Sequence, residues 1–120
     1  MEEIAIKVAT EFVKERERFF RRAEHKIKTL TKKAKALLPD AKVFIFGSFA
    51  KNSYDIYLSD IDVLIVSKTI ENKSMLERAE LVAKLREGIE GGYIFQIHLV
   101  TPKEFEMYKK FIDVMKEVEF

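Results

Sequence analysis

Two apolar segments constrain this chain more than any other feature: Val43-Phe44-Ile45-Phe46-Gly47-Ser48, and Asp60-Ile61-Asp62-Val63-Leu64-Ile65-Val66. The first is a β-branched and aromatic run closed by a Gly-Ser corner, which predicts a short buried strand and a tight turn. The second predicts another buried strand, one that opens on two carboxylates. Side chains alternate along a strand, so Asp60 and Asp62 are expected on one face, about 7 Å apart. Two acids at the mouth of a buried strand repel each other and gain nothing from a core. A cation makes them tolerable, and oxygen ligands alone suit a hard one such as Mg²⁺, with Mn²⁺ as the alternative.

The corner supplies a complementary half. A glycine at a strand end lets a phosphate approach the backbone, and the Ser48 hydroxyl can donate to a phosphate oxygen. If Ser48 caps a short helix over Phe49-Ala50-Lys51-Asn52, free N–H groups face the same anion. A triphosphate on one side and metal ions on the other describe phosphoryl or nucleotidyl transfer.

Gly47-Ser48, a spacer of eleven residues and Asp60-Ile61-Asp62 resemble the signature of the DNA-polymerase-beta-like nucleotidyltransferases. Small size points to their minimal nucleotidyltransferase branch, and the likeness runs from about Lys42 to Thr101. The resemblance implies metal-dependent transfer of a nucleoside monophosphate from an NTP, with ATP expected, to a hydroxyl acceptor. It assigns metal binding to Asp60 and Asp62, and phosphate binding to Gly47 and Ser48 with Lys51 assisting. Asn52 departs from the glycine that often follows that basic residue. The acceptor would be a partner protein, a small molecule held between subunits or an RNA end.

A third strand is expected over Tyr93 to Val100, opened by Gly91-Gly92, with Gln96 and His98 sharing the face of the aspartates. Here Ile97-His98-Leu99-Val100-Thr101-Pro102 resembles the family segment with its third carboxylate replaced by His98. A neutral imidazole can accept a proton or bind Mn²⁺ or Zn²⁺, but it supplies no negative charge. His98 is therefore a general base, a ligand for another metal, a mark of lost catalysis, or simply a hydrogen-bonded histidine at a strand end. The alternative to an enzyme is a nucleotidyltransferase-fold binding module, an antitoxin-like partner of another protein.

At 120 residues, 48% hydrophobic and 35% charged, the chain reads as one soluble domain. It contains no cysteine, which excludes disulfides, thiolate zinc sites and a cysteine nucleophile. Neither a membrane-spanning run nor a secretory leader is visible, so the cytoplasm is expected. The expected architecture is α/β: a mixed sheet of about three strands under helices, with a long N-terminal helix. The single domain, 1–120, divides into a helical segment (1–38), a motif-bearing core (42–101) and a C-terminal helix (102–118).

That first helix runs without glycine or proline from Glu2 to Leu38, with an apolar seam through Ile6, Ala9, Val13, Phe20, Ala23 and Ile27, interrupted at Arg16. Straight, it would be about 55 Å long, too long for so small a domain. It either bends near Arg16 or packs on a second chain, with Phe19 and Phe20 as anchors of a homodimer. Its other face carries Lys14, Arg18, Arg21, His25, Lys28, Lys32 and Lys35, either a solvated stripe or a docking surface for nucleic acid. Capping-box patterns at Ser74–Glu77 and Thr101–Glu104 open a crossover helix and a last helix reaching about Glu117.

Overall fold

Every β strand but one is already visible in the apolar runs. The computed structural model describes residues 2–119. In chain order the elements are α1 (Glu2–Arg21), α2 (Ala23–Leu37), β1 (Lys42–Phe46), α3 (Gly47–Ala50), β2 (Ile61–Val66), α4 (Met75–Arg86), β3 (Phe95–Val100), α5 (Pro102–Lys109) and β4 (Met115–Glu117). Two 3₁₀ turns, Lys68–Asn72 and Gly92–Ile94, precede α4 and β3. The third strand thus starts at Phe95 rather than Tyr93.

The sheet order is β3-β2-β1-β4. β1 runs antiparallel to β2 and β4, while β2 and β3 are parallel, joined by the expected crossover through α4. Both capping boxes are formed: Ser74 Oγ accepts from Glu77 N–H and Thr101 Oγ1 from Glu104 N–H, with reciprocal carboxylate contacts.

One sheet face, carrying Val43, Ile45, Val63, Ile65, Ile97 and Leu99, packs beneath α2 and α4 to form the main core. The other was expected to be open and functional, but half of it is covered. Phe44, Leu64, Val66 and Val100 form a second apolar cluster with Phe105 and Tyr108 of α5. Only the end carrying Asp62, Gln96 and His98 is left for chemistry.

The long helix breaks at Arg22, which has φ −119° and ψ 25°, and not at Arg16. Phe19 is 1% exposed and meets Phe95 edge-on at 5.2 Å, while Phe20 stacks on Tyr54 at 5.2 Å. Phe19 thus sits in this chain's own core, and Phe20, partly buried, packs against it. Turning the chain after Phe19 and Phe20 lets α1 and α2 each lay an apolar face on the body. The first half of α1 extends beyond it, leaving Ile4, Ile6 and Val8 each about two-thirds exposed.

The last helix stops at Lys109, leaving Phe111 exposed. The chain then turns back as β4, because β1 has an unpaired edge and Phe44, Ile45 and Phe46 find partners in Glu117, Lys116 and Met115. No helix among the described residues is long and apolar enough to cross a membrane.

Candidate active site

The site forms where β1 ends and β2 begins. Gly47 follows Phe46 with φ +76°, a left-handed conformation that glycine adopts without the Cβ penalty. There is a second reason for glycine here. A Cβ at position 47 would lie 3.1 Å from Asp62 Cγ and collide with the carboxylate. The bare backbone of Gly47 is the cradle in which that carboxylate sits.

Asp62 lies opposite Phe46 on one side and Gln96 on the other. Burial pushes its pKa up, the negative charge of Asp60 adds to this, and His98 partly offsets it. No hydrogen bond from a described residue offsets the desolvation. A half-buried carboxylate without a donor is poorly solvated and suited to a cation.

Asp60 stands just outside β2, exposed in the loop. It lies one residue before the first residue of β2, and its charge reaches Asp62. The backbone of residues 55–59 closes on itself: Ser59 N–H donates to Asp55 O at 2.8 Å, and Asp55 N–H to Ser59 Oγ at 2.9 Å. This turn ends at the residue before Asp60.

His98 is half-buried, between Phe46 at 5.6 Å and Tyr108 at 5.8 Å between ring centroids. Its Nδ1 lies 3.4 Å from the Tyr108 hydroxyl. Desolvation lowers its pKa, and the Asp62 charge pulls it back up. The ring is thus electrostatically coupled to Asp62 and neutral near pH 7, as a proton acceptor must be.

Ser48 is not the helix cap. The short helix starts one residue earlier, with Phe46 in the cap position, which puts Ser48 inside the first turn. Lys51 leaves that helix and pairs with Asp113 at 2.8 Å, tying the loop to the turn before β4. Tyr54 stacks on Phe20, and Tyr57 projects outward with its hydroxyl 3.5 Å from Glu17 Oε2.

Among the described residues no group of three or more His, Cys, Asp or Glu converges on one point. The residues still fit a hard divalent ion. If Asp60 and Asp62 both held such an ion, its remaining positions would be open to phosphate oxygens and water, the usual manner of Mg²⁺ at phosphate sites.

The sequence model of the nucleotidyltransferase domain family matches residues 27–118. The chain belongs to that family. A crystal structure of a presumed nucleotidyltransferase superposes with a TM-score of 0.63 at 31% identity, covering 78% of this chain and 97% of that one. Another, of a presumed nucleotidyltransferase from Sulfolobus solfataricus, has a TM-score of 0.57 at 21% identity, covering 88% and 84%. The second supports the fold alone. No curated relative matches.

The nucleotidyltransferase match leaves out α1, and with it the site neighbour that sequence reasoning missed. Arg16 looked like a break in an apolar seam. In the structure it is 4% exposed; Nε donates to Ile56 O at 2.7 Å and a terminal nitrogen to Ser59 O. The visible signal was its position: a charge at a seam position of a helix must be satisfied by something.

Proposed function

We propose that this nucleotidyltransferase domain transfers a nucleoside monophosphate from an NTP, ATP in the first instance, to a hydroxyl, with Mg²⁺ or Mn²⁺ bound at Asp60 and Asp62. The observation that carries the reading is the Asp62 carboxylate, half-buried without a hydrogen-bond donor among the described residues and seated against Gly47, with the charge of Asp60 acting on it. Family membership supports the reaction class.

In the reaction the acceptor oxygen bonds to the α-phosphorus, the bond from that phosphorus to the α–β bridging oxygen breaks, and pyrophosphate leaves. The bound metal supplies Lewis-acid charge to the phosphate oxygens. Asp60 and Asp62 hold that charge at the strand mouth. Gly47 leaves room for the carboxylate and Ser48 offers a hydroxyl to a phosphate. Lys51, paired with Asp113, is the basic residue that would assist at the phosphates. His98, neutral and coupled to Asp62, is the candidate acceptor for the hydroxyl proton.

One observation favours a second reading, a nucleotide-holding module acting as partner to another protein. His98 stands where the family resemblance implies a third carboxylate, and Tyr108 occupies its Nδ1 side. Labelled ATP with Mn²⁺, offered with pyrophosphate release as the readout across protein, RNA and small-molecule hydroxyl acceptors, separates the two. Turnover that disappears with Asp62→Asn supports the enzyme. Metal-dependent ATP binding without turnover supports the module, and no metal-dependent binding refutes both.

A further inference from the structure

We propose that Arg16 is a positioning residue for the candidate metal site, acting through the loop that carries Asp60; this rests on the reading of Asp60 and Asp62 as metal ligands. Helices normally bury apolar side chains and leave their charges in water. At this point α1 does the reverse. The Arg16 guanidinium is buried between Phe12 and Phe20, whose ring centroids lie 5.9 and 5.6 Å from its central carbon. None of the ion pairs among the described residues includes it. A cation withdrawn from water without a carboxylate is costly, and what it receives here is two backbone carbonyls together with the Tyr93 hydroxyl.

The identity of those carbonyls gives the position its meaning. Ile56 O and Ser59 O are three residues apart, and Ser59 immediately precedes Asp60. A guanidinium is a planar fork, so bonds from two of its nitrogens fix direction as well as distance. The turn over residues 55–59 is already closed by its own hydrogen bonds, which tie its two ends together. Arg16 fixes that turn against α1, and thereby fixes the backbone from which the Asp60 side chain departs. Asp62 needs no such support, because β2 is paired on both sides. The site thus has one ligand on a rigid strand and one on a loop whose orientation comes from an arginine outside the family match at residues 27–118. Tyr93, the aromatic partner of Phe12 at 5.9 Å, has its phenol pushed up by burial and by the charges of Glu15 and Asp60, while the charge of Arg16 and a hydrogen bond from it pull the other way.

Groups that orient metal ligands typically contribute about 10–100-fold in metal affinity. The test is a titration of the protein with Mn²⁺ alone, read by electron paramagnetic resonance, on wild type, Arg16→Lys and Glu17→Ala. Lysine keeps the charge and most of the stem but cannot hold both carbonyls in the fork geometry. Glu17→Ala removes the Tyr57 contact from the same helix and is the control for general loosening. We expect Arg16→Lys to weaken Mn²⁺ binding about 10–100-fold and Glu17→Ala to leave it within about twofold. In metal-free protein, hydrogen exchange at residues 56–60 should quicken in Arg16→Lys while that of β1 and β2 is unchanged. Where Arg16→Lys does not fold, Arg16→Gln, which retains a planar donor, takes its place with the same expected weakening. Wild-type and Arg16→Lys proteins with equal Mn²⁺ affinity would overturn the assignment even if the loop exchanges faster, since Arg16 would then be structural only. A wild type with no Mn²⁺ affinity overturns the metal-site reading as well, so the two failures are distinguishable.

Discussion

Replacing Gly47 by alanine should separate backbone strain from the close approach of Asp62. The conformation at φ +76° costs a residue with a Cβ roughly 1–2 kcal/mol. The new methyl would also stand 3.1 Å from Asp62 Cγ, driving the carboxylate off its rotamer for about 1 kcal/mol more. Gly88 is the internal control: its φ is +78°, yet nothing lies within 4 Å of a Cβ there. Gly88→Ala should therefore lose only the backbone part. With an unfolding entropy near 2.1 cal/mol/K per residue, 1 kcal/mol corresponds to about 4 °C in a domain of this size. The expected drop in thermal midpoint is about 8–12 °C for Gly47→Ala and about 4–8 °C for Gly88→Ala. In an Asp62→Ala background the nearest remaining contact is Asp62 Cβ at 3.4 Å, ordinary packing, and Gly47→Ala should cost no more than Gly88→Ala. Differential scanning calorimetry on the metal-free wild type, the three single variants and the Gly47→Ala/Asp62→Ala double variant reads these differences. If the Gly47 and Asp62 substitutions add to within about 0.3–0.5 kcal/mol, the two groups do not interact and the cradle is refuted.

The raised pKa of Asp62 carries a sign that can be checked. An acid held above its unfolded value keeps its proton longer when folded, so its contribution to stability falls as pH rises from about 4. Metal-free Asp62→Asn should therefore melt above wild type at pH 7 but not at pH 3; a lower midpoint at pH 7 would contradict the burial argument. In turnover, His98→Ala should lose rate, whereas His98→Asp should raise the Mg²⁺-supported rate; strong activity indifferent to both would place the third catalytic group elsewhere. The α1 extension, with Ile4, Ile6 and Val8 exposed, should self-associate. Light scattering is expected to show a dimer that Val8→Glu dissociates, and a species of 14.1 kDa at high micromolar concentration would refute it.

What was legible in the sequence was what local chemistry decides. Ser74 and Thr101 bring their own partners three residues later, so both caps formed as expected. The runs over 43–46 and 61–66 could hardly be anything but buried strands, and their meeting put Gly47 against Asp62. The misses share a non-local cause. The helix breaks at Arg22, a residue with no breaking tendency, because Phe19 is drawn down onto Phe95 and Phe20 onto Tyr54. Residues 115–117 read as helix from periodicity, but the vacant edge of β1 offered them hydrogen bonds. Asp60 lies one residue before β2, in a loop whose contacts to Arg16, more than forty residues away, no local pattern could show.

The pairing of β1 with β4 has a consequence for how the molecule assembles and comes apart. Strand β1 joins a neighbour about twenty residues away, Phe46 to Asp62 being the nearest pair, and another about seventy residues away, Phe46 to Met115. Closing the longer loop costs more chain entropy and is rewarded by only three exposed or half-buried residues. During folding the β1–β2 hairpin can zip early, whereas β4 must wait for the sheet it caps. The order reverses on opening: β4 should fray while the rest of the sheet stays closed, a sub-global event with its own free energy. Amides of β1 that point toward β2 and those that point toward β4 would then report two different stabilities from a single strand.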